Sequence, residues 1–234
     1  ADCSRAERTG EMRRLLYVPI IHEEIDMGSL GEALARESAA LSGSERWVSH
    51  KETLRAFWES VAAYLGSFNP RQLRGYQDGM VADGAMGERI VLEGARRGSR
   101  NYQLILELLS RGAELRKTED PALLLAEHAH LLRYRPGDVP SQERDSLMEE
   151  RDTFIADAIN ATLRDGEVGV LFIGAGHRVL PHLASDVSVH GVKDEEKLRM
   201  YMQELLLGAE PRRIEVLAQY VAAPVHEREA PPGG

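Results

Sequence analysis

One cysteine, Cys3, stands among 234 residues. That count excludes a disulfide framework and a cysteine-built zinc site, and it suits a reducing compartment such as the cytoplasm. No apolar run approaches the ~20 residues that cross a bilayer, so no membrane segment is expected. Residues 1–13 lack the apolar centre of a secretory signal. Basic charge is also short: 29 Lys and Arg face 38 Asp and Glu, for a formal net charge of −9. Non-specific nucleic-acid binding depends on neutralising phosphates, so nucleic acid is not an expected partner. What remains is a globular composition, 43% hydrophobic and 29% charged, in a chain long enough for one large domain with its own core. No internal repeat is visible.

The most apolar stretch is Val168-Gly169-Val170-Leu171-Phe172-Ile173, followed by Gly174-Ala175-Gly176-His177. Its short, β-branched and aromatic run bounded by glycine reads as a strand buried on both faces. The glycines permit a sharp turn, and the turn presents His177 at the strand's carboxyl end, the edge where ligands sit in open α/β sheets.

Other segments fall into place around it. Residues 14–22 predict a first strand closing on His22, with Glu23, Glu24 and Asp26 after it. Pro19 inside it removes a ladder donor, which predicts an edge position, a bulge or a local break. Helical spacing follows over about 27–40, and over 49–68 with Leu54, Trp58, Val61 and Leu65 on one face. Residues 72–79 read as a strand ending in Asp78. Helices are expected at about 84–96 and 99–112, the second capped by Gly112. A short strand over 113–118 ends in Glu119 and Asp120, and Pro121 opens the next helix. After the loop 135–140 comes the longest helical pattern, 141–163. Residues 187–192 make a further strand, and 195–223 one or two amphipathic helices whose apolar face (Leu198, Met202, Leu205, Leu206, Ile214, Leu217) could pack on its own sheet or on a second copy as a homodimer. Alternation of strands and helices argues a single α/β domain over 14–223, with a central mixed, mostly parallel sheet flanked by helices. The tails 1–13 and 224–234 are expected to be flexible and disordered.

Four expected strands thus end in His22 with Glu23 and Glu24, in Asp78, in Glu119 with Asp120, and in His177. Parallel strands would gather these groups on one edge. Two imidazoles and several carboxylates suit a divalent ion such as Mn, Co or Zn, with His22, Asp78, Glu119 and His177 as candidate ligands. Such an ion activates water for hydrolysis. Without it, His22 and His177 with carboxylates could act as general bases. Glu23 and the Gly174 and Gly176 backbone would then face the substrate. Blander roles exist for several of these: Asp120 as a helix N-cap, Asp78 as a turn residue, Glu23 and Glu24 as solvated acids. His128, His130, His182, His190 and His226 show no partner pattern.

A strand ending in Pro19-Ile20-Ile21-His22 and a later one ending in Gly174-Ala175-Gly176-His177 together resemble the TraB/PrgY and TIKI group, which is distantly similar to erythromycin-esterase and ChaN-like proteins. Members carry two motifs of Gly, two residues and His. The second is intact here, while the first has Pro19 in place of Gly. The group also has an Arg-Asp pair on the helix before the second motif, matched by Arg151-Asp152, and an acidic residue closing the second strand, matched by Asp78. The resemblance spans roughly 14–192. It implies a mixed-sheet α/β domain and a hydrolase: a metal-dependent peptidase in the TIKI branch, an enzyme with no required metal in the esterase branch. Arg151 would hold an oxyanion or orient a carboxylate, and Asp152 would orient His177 or Arg151. Small-molecule or peptide substrates follow from that reading. Two other readings stand beside it. One is a nucleotide-binding module, with Gly174-Ala175-Gly176 as the phosphate turn and Asp194 at the fingerprint distance, although Val179 replaces the third small residue. The other is a non-catalytic binding or regulatory member of the family.

Overall fold

The computed structural model describes residues 13–20, 44–133, 142–174, 176–207, 210–226 and 228–229. His22, Glu23, Glu24, the expected helix at 27–40, the loop 135–140 and Ala175 lie outside the described residues. The strands are β1 (Arg13–Ile20), β2 (Leu73–Gln77), β3 (Glu114–Arg116), β4 (Val168–Gly174), β5 (Val187–Gly191) and β6 (Arg228–Glu229). They form one sheet in the order β3-β2-β4-β1-β5-β6. The first five run parallel, and β6 joins β5 antiparallel. The expected α/β domain with a mostly parallel sheet is therefore what forms. Residues 228–229 pair as a strand where a disordered tail was the expectation, because two residues are too few to show a period in the sequence.

Seven α-helices are described: α1 (Ser44–Leu65), α2 (Gly84–Arg96), α3 (Arg100–Ser110), α4 (Pro121–Arg133), α5 (Gln142–Thr162), α6 (Glu195–Leu207) and α7 (Pro211–Ala222). Alternation along the strands divides the core into two layers. Leu16, Val18, Ile20, Leu73, Val170 and Phe172 face Leu54, Phe57, Val61 and Leu65 of α1, together with residues of α2, α3, α6 and α7. Leu15, Tyr17, Tyr76, Leu171 and Ile173 face Ile155, Ala156 and Ile159 of α5, with Leu163 just beyond it. The apolar residues Leu198, Ile214 and Leu217 of α6 and α7 are buried in the first layer, within the molecule's own core, and Leu205 of α6 is buried as well. Among the described residues no helix is long and apolar enough to cross a membrane.

Of the expected settings for Pro19, neither an edge nor a bulge forms; the pairing with β5 stops short of it, a break in the ladder on that side. β1 lies between β4 and β5, and Pro19 pairs with Ile173. Backbone groups of successive residues in a parallel strand point to opposite neighbours. The Tyr17 carbonyl accepts from the Val192 N–H at 3.1 Å, so Pro19, two residues on, faces the same side. The β5 ladder ends at the pair Tyr17–Gly191. The missing donor falls where no partner strand remains, so it costs the ladder nothing.

Gly169 in β4 sets how closely α5 approaches. A Cβ there would lie 2.6 Å from Leu15 Cδ1, 3.2 Å from Leu163 Cδ2 and 3.3 Å from Tyr76 Cε2. The glycine leaves space that the ends of the Leu15, Leu163 and Tyr76 side chains fill, and Leu163 seats the end of the helix against the sheet there.

Candidate active site

The parallel arrangement carries the ends of β2, β3 and β4 to one rim, and α5 adds two residues from above. Asp78 follows β2 directly and is tied to β4, its N–H donating to the Phe172 carbonyl at 2.9 Å. Glu119 follows β3. The Thr118 and Glu119 N–H groups both donate to the Met80 carbonyl, at 2.9 and 3.1 Å, and the Thr118 hydroxyl donates to the Gln77 carbonyl. The turn bearing Asp78 and the segment bearing Glu119 are thereby fastened together. His177 follows β4, its N–H donating to the Gly174 carbonyl at 3.2 Å. Arg151 and Asp152 are successive on α5, so their side chains diverge by about 100° and reach different parts of the rim.

Arg151 reaches three carboxylates. Its Nη2 donates to Asp78 Oδ1 at 2.8 Å and to Glu119 Oε1 at 2.5 Å, and its Nε donates to Glu119 Oε2 at 3.2 Å. Its Nη1 donates to Glu127 of α4. Asp152 serves the other side: Oδ1 lies 2.6 Å from His177 Nδ1, and Oδ2 accepts the Arg178 N–H at 2.7 Å. His177 Nε2 lies 3.2 Å from Asp78 Oδ2, which also accepts the Gly174 N–H at 3.4 Å. Arg151, Asp152, Glu119 and His177 are all buried.

Burial and pairing act against each other in this cluster. Burial alone would raise Asp78, but its hydrogen bond to His177, with the charges of His177 and Arg151, brings it down to about 2. Burial would lower His177, yet the hydrogen bonds to Asp152 and Asp78 hold it up at about 9, so it is an imidazolium at neutral pH in this arrangement. Burial pushes the Glu119 carboxyl up in spite of Arg151. The Arg151 guanidinium is more basic than usual: burial works against its charge, and Glu119, Asp78 and Glu127 outweigh it. Four acids, Asp78, Glu119, Glu127 and Asp152, thus surround two cations.

Of the residues singled out in the sequence, Asp78, Glu119, Arg151, Asp152 and His177 come together. Ile20, the last described residue before His22, is in register with Gly174, so β1 ends beside the strand that carries His177. Glu119 is placed at the rim with both its oxygens on Arg151, so in this arrangement it serves the guanidinium. Gly174 spends its N–H on Asp78, and Gly176 lies exposed in the turn. Asp120 takes the blander role, its Oδ1 accepting the Ala122 N–H at 2.7 Å as a helix cap. His190 bonds Ser188 at 2.8 Å, and His182 lies 3.3 Å from Glu149, both away from the cluster. Glu127 was missed: it lies inside α4, not at a strand end, and no spacing marks it.

The phosphate-turn arrangement does not form. β4 leads to the 3-10 turn Leu180–His182, with no α-helix whose N-terminus could face a pyrophosphate. Asp194 accepts the Lys197 N–H at 3.2 Å and so caps α6. Among the described residues no three His, Cys, Asp or Glu groups form a set able to hold a metal ion. A pair does fit: His177 Nε2 and Asp78 Oδ2, at 3.2 Å, are spaced as two ligands of one ion would be, since bonds of about 2.0–2.1 Å at a tetrahedral angle separate ligand atoms by about 3.3 Å. Asp152 on Nδ1 is the carboxylate partner that metal-binding histidines usually have. Comparisons of the chain with protein-family models, curated proteins and solved structures gave no match.

Proposed function

We propose that this chain is a hydrolase of an ester or peptide bond, of the TraB/TIKI type, working with a divalent ion of the Mn, Co or Zn class at the carboxyl rim of its sheet. In this reading His177 and Asp78 are two of the ligands and His22 is the third. The observation that carries it is the 3.2 Å approach of His177 Nε2 to Asp78 Oδ2, with Asp152 backing the imidazole at 2.6 Å. When bound, such an ion supplies Lewis acidity and water activation near neutral pH. The chain's own residues do the rest. Asp152 fixes the ring and its tautomer. Arg151 holds Asp78 in orientation and compensates Glu119 and Glu127, so the acids at the rim do not repel one another apart. In the net reaction water adds to the acyl carbon, the bond to the alcohol or amine breaks, and the leaving group takes up a proton. The single cysteine is consistent with work in a reducing compartment such as the cytoplasm.

The test is metal affinity of the full chain, stripped with chelator and titrated with Mn, Co and Zn. Wild type should bind one ion. Asp152→Asn should bind it ten- to a hundred-fold more weakly, and His177→Ala or His22→Ala should lose it. His128→Ala, on the exposed side of α4, should change nothing. A wild-type protein that takes up none of the three ions would remove the metal reading and leave the rim as a structural network.

A further inference from the structure

Two polar residues interrupt apolar patterns on the side of the sheet away from α5. On β2, Gln77 shares the face of Leu73. On α3, Asn101 shares the face of Leu104, Ile105 and Leu108. These four leucine and isoleucine residues belong to one apolar layer. Gln77 and Asn101 are each 4% exposed, and Ser99 is 3% exposed. The three polar side chains form a line. The Ser99 hydroxyl donates to Asn101 Oδ1, Asn101 Nδ2 donates to Gln77 Oε1 at 2.9 Å, and Gln77 Nε2 donates to the Asp78 carbonyl at 2.9 Å. Ser99 stands at the N-cap of α3, where a serine side chain usually bonds the helix's own N–H groups. It makes no such bond here. Capping is forgone for a line that ends on Asp78, in a place where apolar residues would fill the core as well.

The line lands on one peptide of a turn. Gln77 to Met80 close that turn, the Met80 N–H donating to the Gln77 carbonyl at 3.0 Å. Gly79 has φ +78°, the value a type II turn requires at its third residue. Types I and II differ by a flip of the peptide between the second and third residues, here Asp78–Gly79. Gln77 holds the carbonyl of that peptide, and its N–H donates to Glu119 Oε1 at 3.4 Å. The peptide on the other side of Asp78 is held too, its N–H donating to the Phe172 carbonyl at 2.9 Å. With both peptides fixed, so is the direction in which the Asp78 side chain leaves the backbone.

We infer that Gln77, aligned by Asn101 and Ser99, is a positioning residue of the rim: it pins the peptide after Asp78 and so aims the Asp78 carboxylate at His177 and Arg151. The consequence for metal binding rests on the hydrolase reading, in which Asp78 is a ligand. The pin itself does not. Asp78 Oδ2 and His177 Nε2 stand 3.2 Å apart, and ligand sites lose their fit when their geometry drifts by more than about 0.5 Å. A flip of the peptide at the root of the Asp78 side chain would release such a drift.

The experiment compares the full-length wild type with the double variant Gln77→Met/Asn101→Leu, which keeps side-chain size and strands neither amide. Its melting temperature should stay near that of wild type, because both partners are replaced together and Ser99 is freed to cap α3. In the metal-free protein the Gly79 amide should exchange its hydrogen about ten-fold faster, while the Leu163 amide, bonded to the Ile159 carbonyl at 3.0 Å, keeps its rate. Mn should bind about ten-fold more weakly. Ser99→Ala, the mildest change, should fold as wild type does and speed the Gly79 amide about two- to three-fold. Leu104→Ala, in the same layer, should lower the melting temperature and leave Mn affinity as it is. Gly79 exchange equal to that of wild type in both line variants would overturn the inference and leave the hydrolase reading standing. So would an equal rise at Gly79 and Leu163, which would show that the line serves the fold alone. Wild type that binds no Mn would take down the metal reading, and the Gly79 amide would still decide the pin.

Discussion

At the amino rim of the sheet, Arg13 is bidentate to Asp186, both contacts at 2.8 Å, and its Nη1 donates to the Asn160 and Leu163 carbonyls at the end of α5, at 2.6 and 3.1 Å. Arg74 pairs with Glu167 at 2.5 Å, and Arg116 with Glu114 at 2.6 Å. Arg74 also lies 3.8 Å from Glu114, so three arginines there meet three acids in one-to-one balance. At the carboxyl rim Arg151 is shared by three acids, Asp78, Glu119 and Glu127, and His177 is held between Asp78 and Asp152, so four acids meet two cations. The first rim is balanced and serves the fold. The second concentrates acid around buried cations, an arrangement that stability alone does not favour and that the proposed cation site would use.

The sharpest way to break this contrast is to remove one cation from each rim. Arg151→Met should cost about 3–5 kcal/mol, because it strands buried carboxylates. Arg13→Met should cost about 1–2 kcal/mol, since Asp186, with its side chain 59% exposed, returns to water. Denaturant melts of the two variants would read the difference, and equal losses would erase the distinction between the rims.

A second comparison uses pH in the metal-free protein. His177 titrates at about 9 when folded, against 6.5 ordinarily. Its contribution is complete below pH 6.5 and is lost as pH climbs through 9. Asp78, at about 2 against 3.8, contributes fully above pH 3.8 and loses its contribution as pH falls through 2. Stability should therefore decline between pH 6.5 and 9, and His177→Gln should flatten that decline. Metal affinity should rise across the same window, because the ion displaces the proton. A wild-type melting temperature that stays level from pH 6.5 to 9 would show that His177 is not held as an imidazolium.

The smallest effect separates capping from chemistry among adjacent acids. Asp120→Ala should cost about 1 kcal/mol of stability as a lost N-cap and leave metal affinity untouched. If affinity falls as well, Asp120 belongs to the site and its role as a cap is incomplete.

Reading strand ends worked because the strands are parallel: Asp78, Glu119 and His177 close successive strands, and parallel pairing alone puts their ends on one rim. β4 stood out because a strand covered on both faces is apolar at nearly every position. The sequence could not tell that the partner of Glu119 is an arginine of the same chain, since a carboxylate looks the same whether it awaits a metal ion or a guanidinium. Glu127 carried no signal because α4 is amphipathic only in the coarse sense, and one glutamate among its polar positions is unremarkable. The sequence leaves the setting of Pro19 among three alternatives for a different reason. Its cost depends on where the neighbouring ladder stops, and that is set by β5, some 170 residues further along the chain.

Gly169 lies near the foot of a lever. α5 has 21 residues, about 31 Å of rigid rod, seated at its lower end through Leu163 against the space this glycine leaves. Arg151 and Asp152 ride about 18 Å higher on the same rod. A methyl group added at the bottom would press on Leu15 and, less closely, on Leu163, the residue that seats the helix carrying Arg151 and Asp152. The seating of a helix that carries two residues of one rim thus depends on an absent side chain near the other.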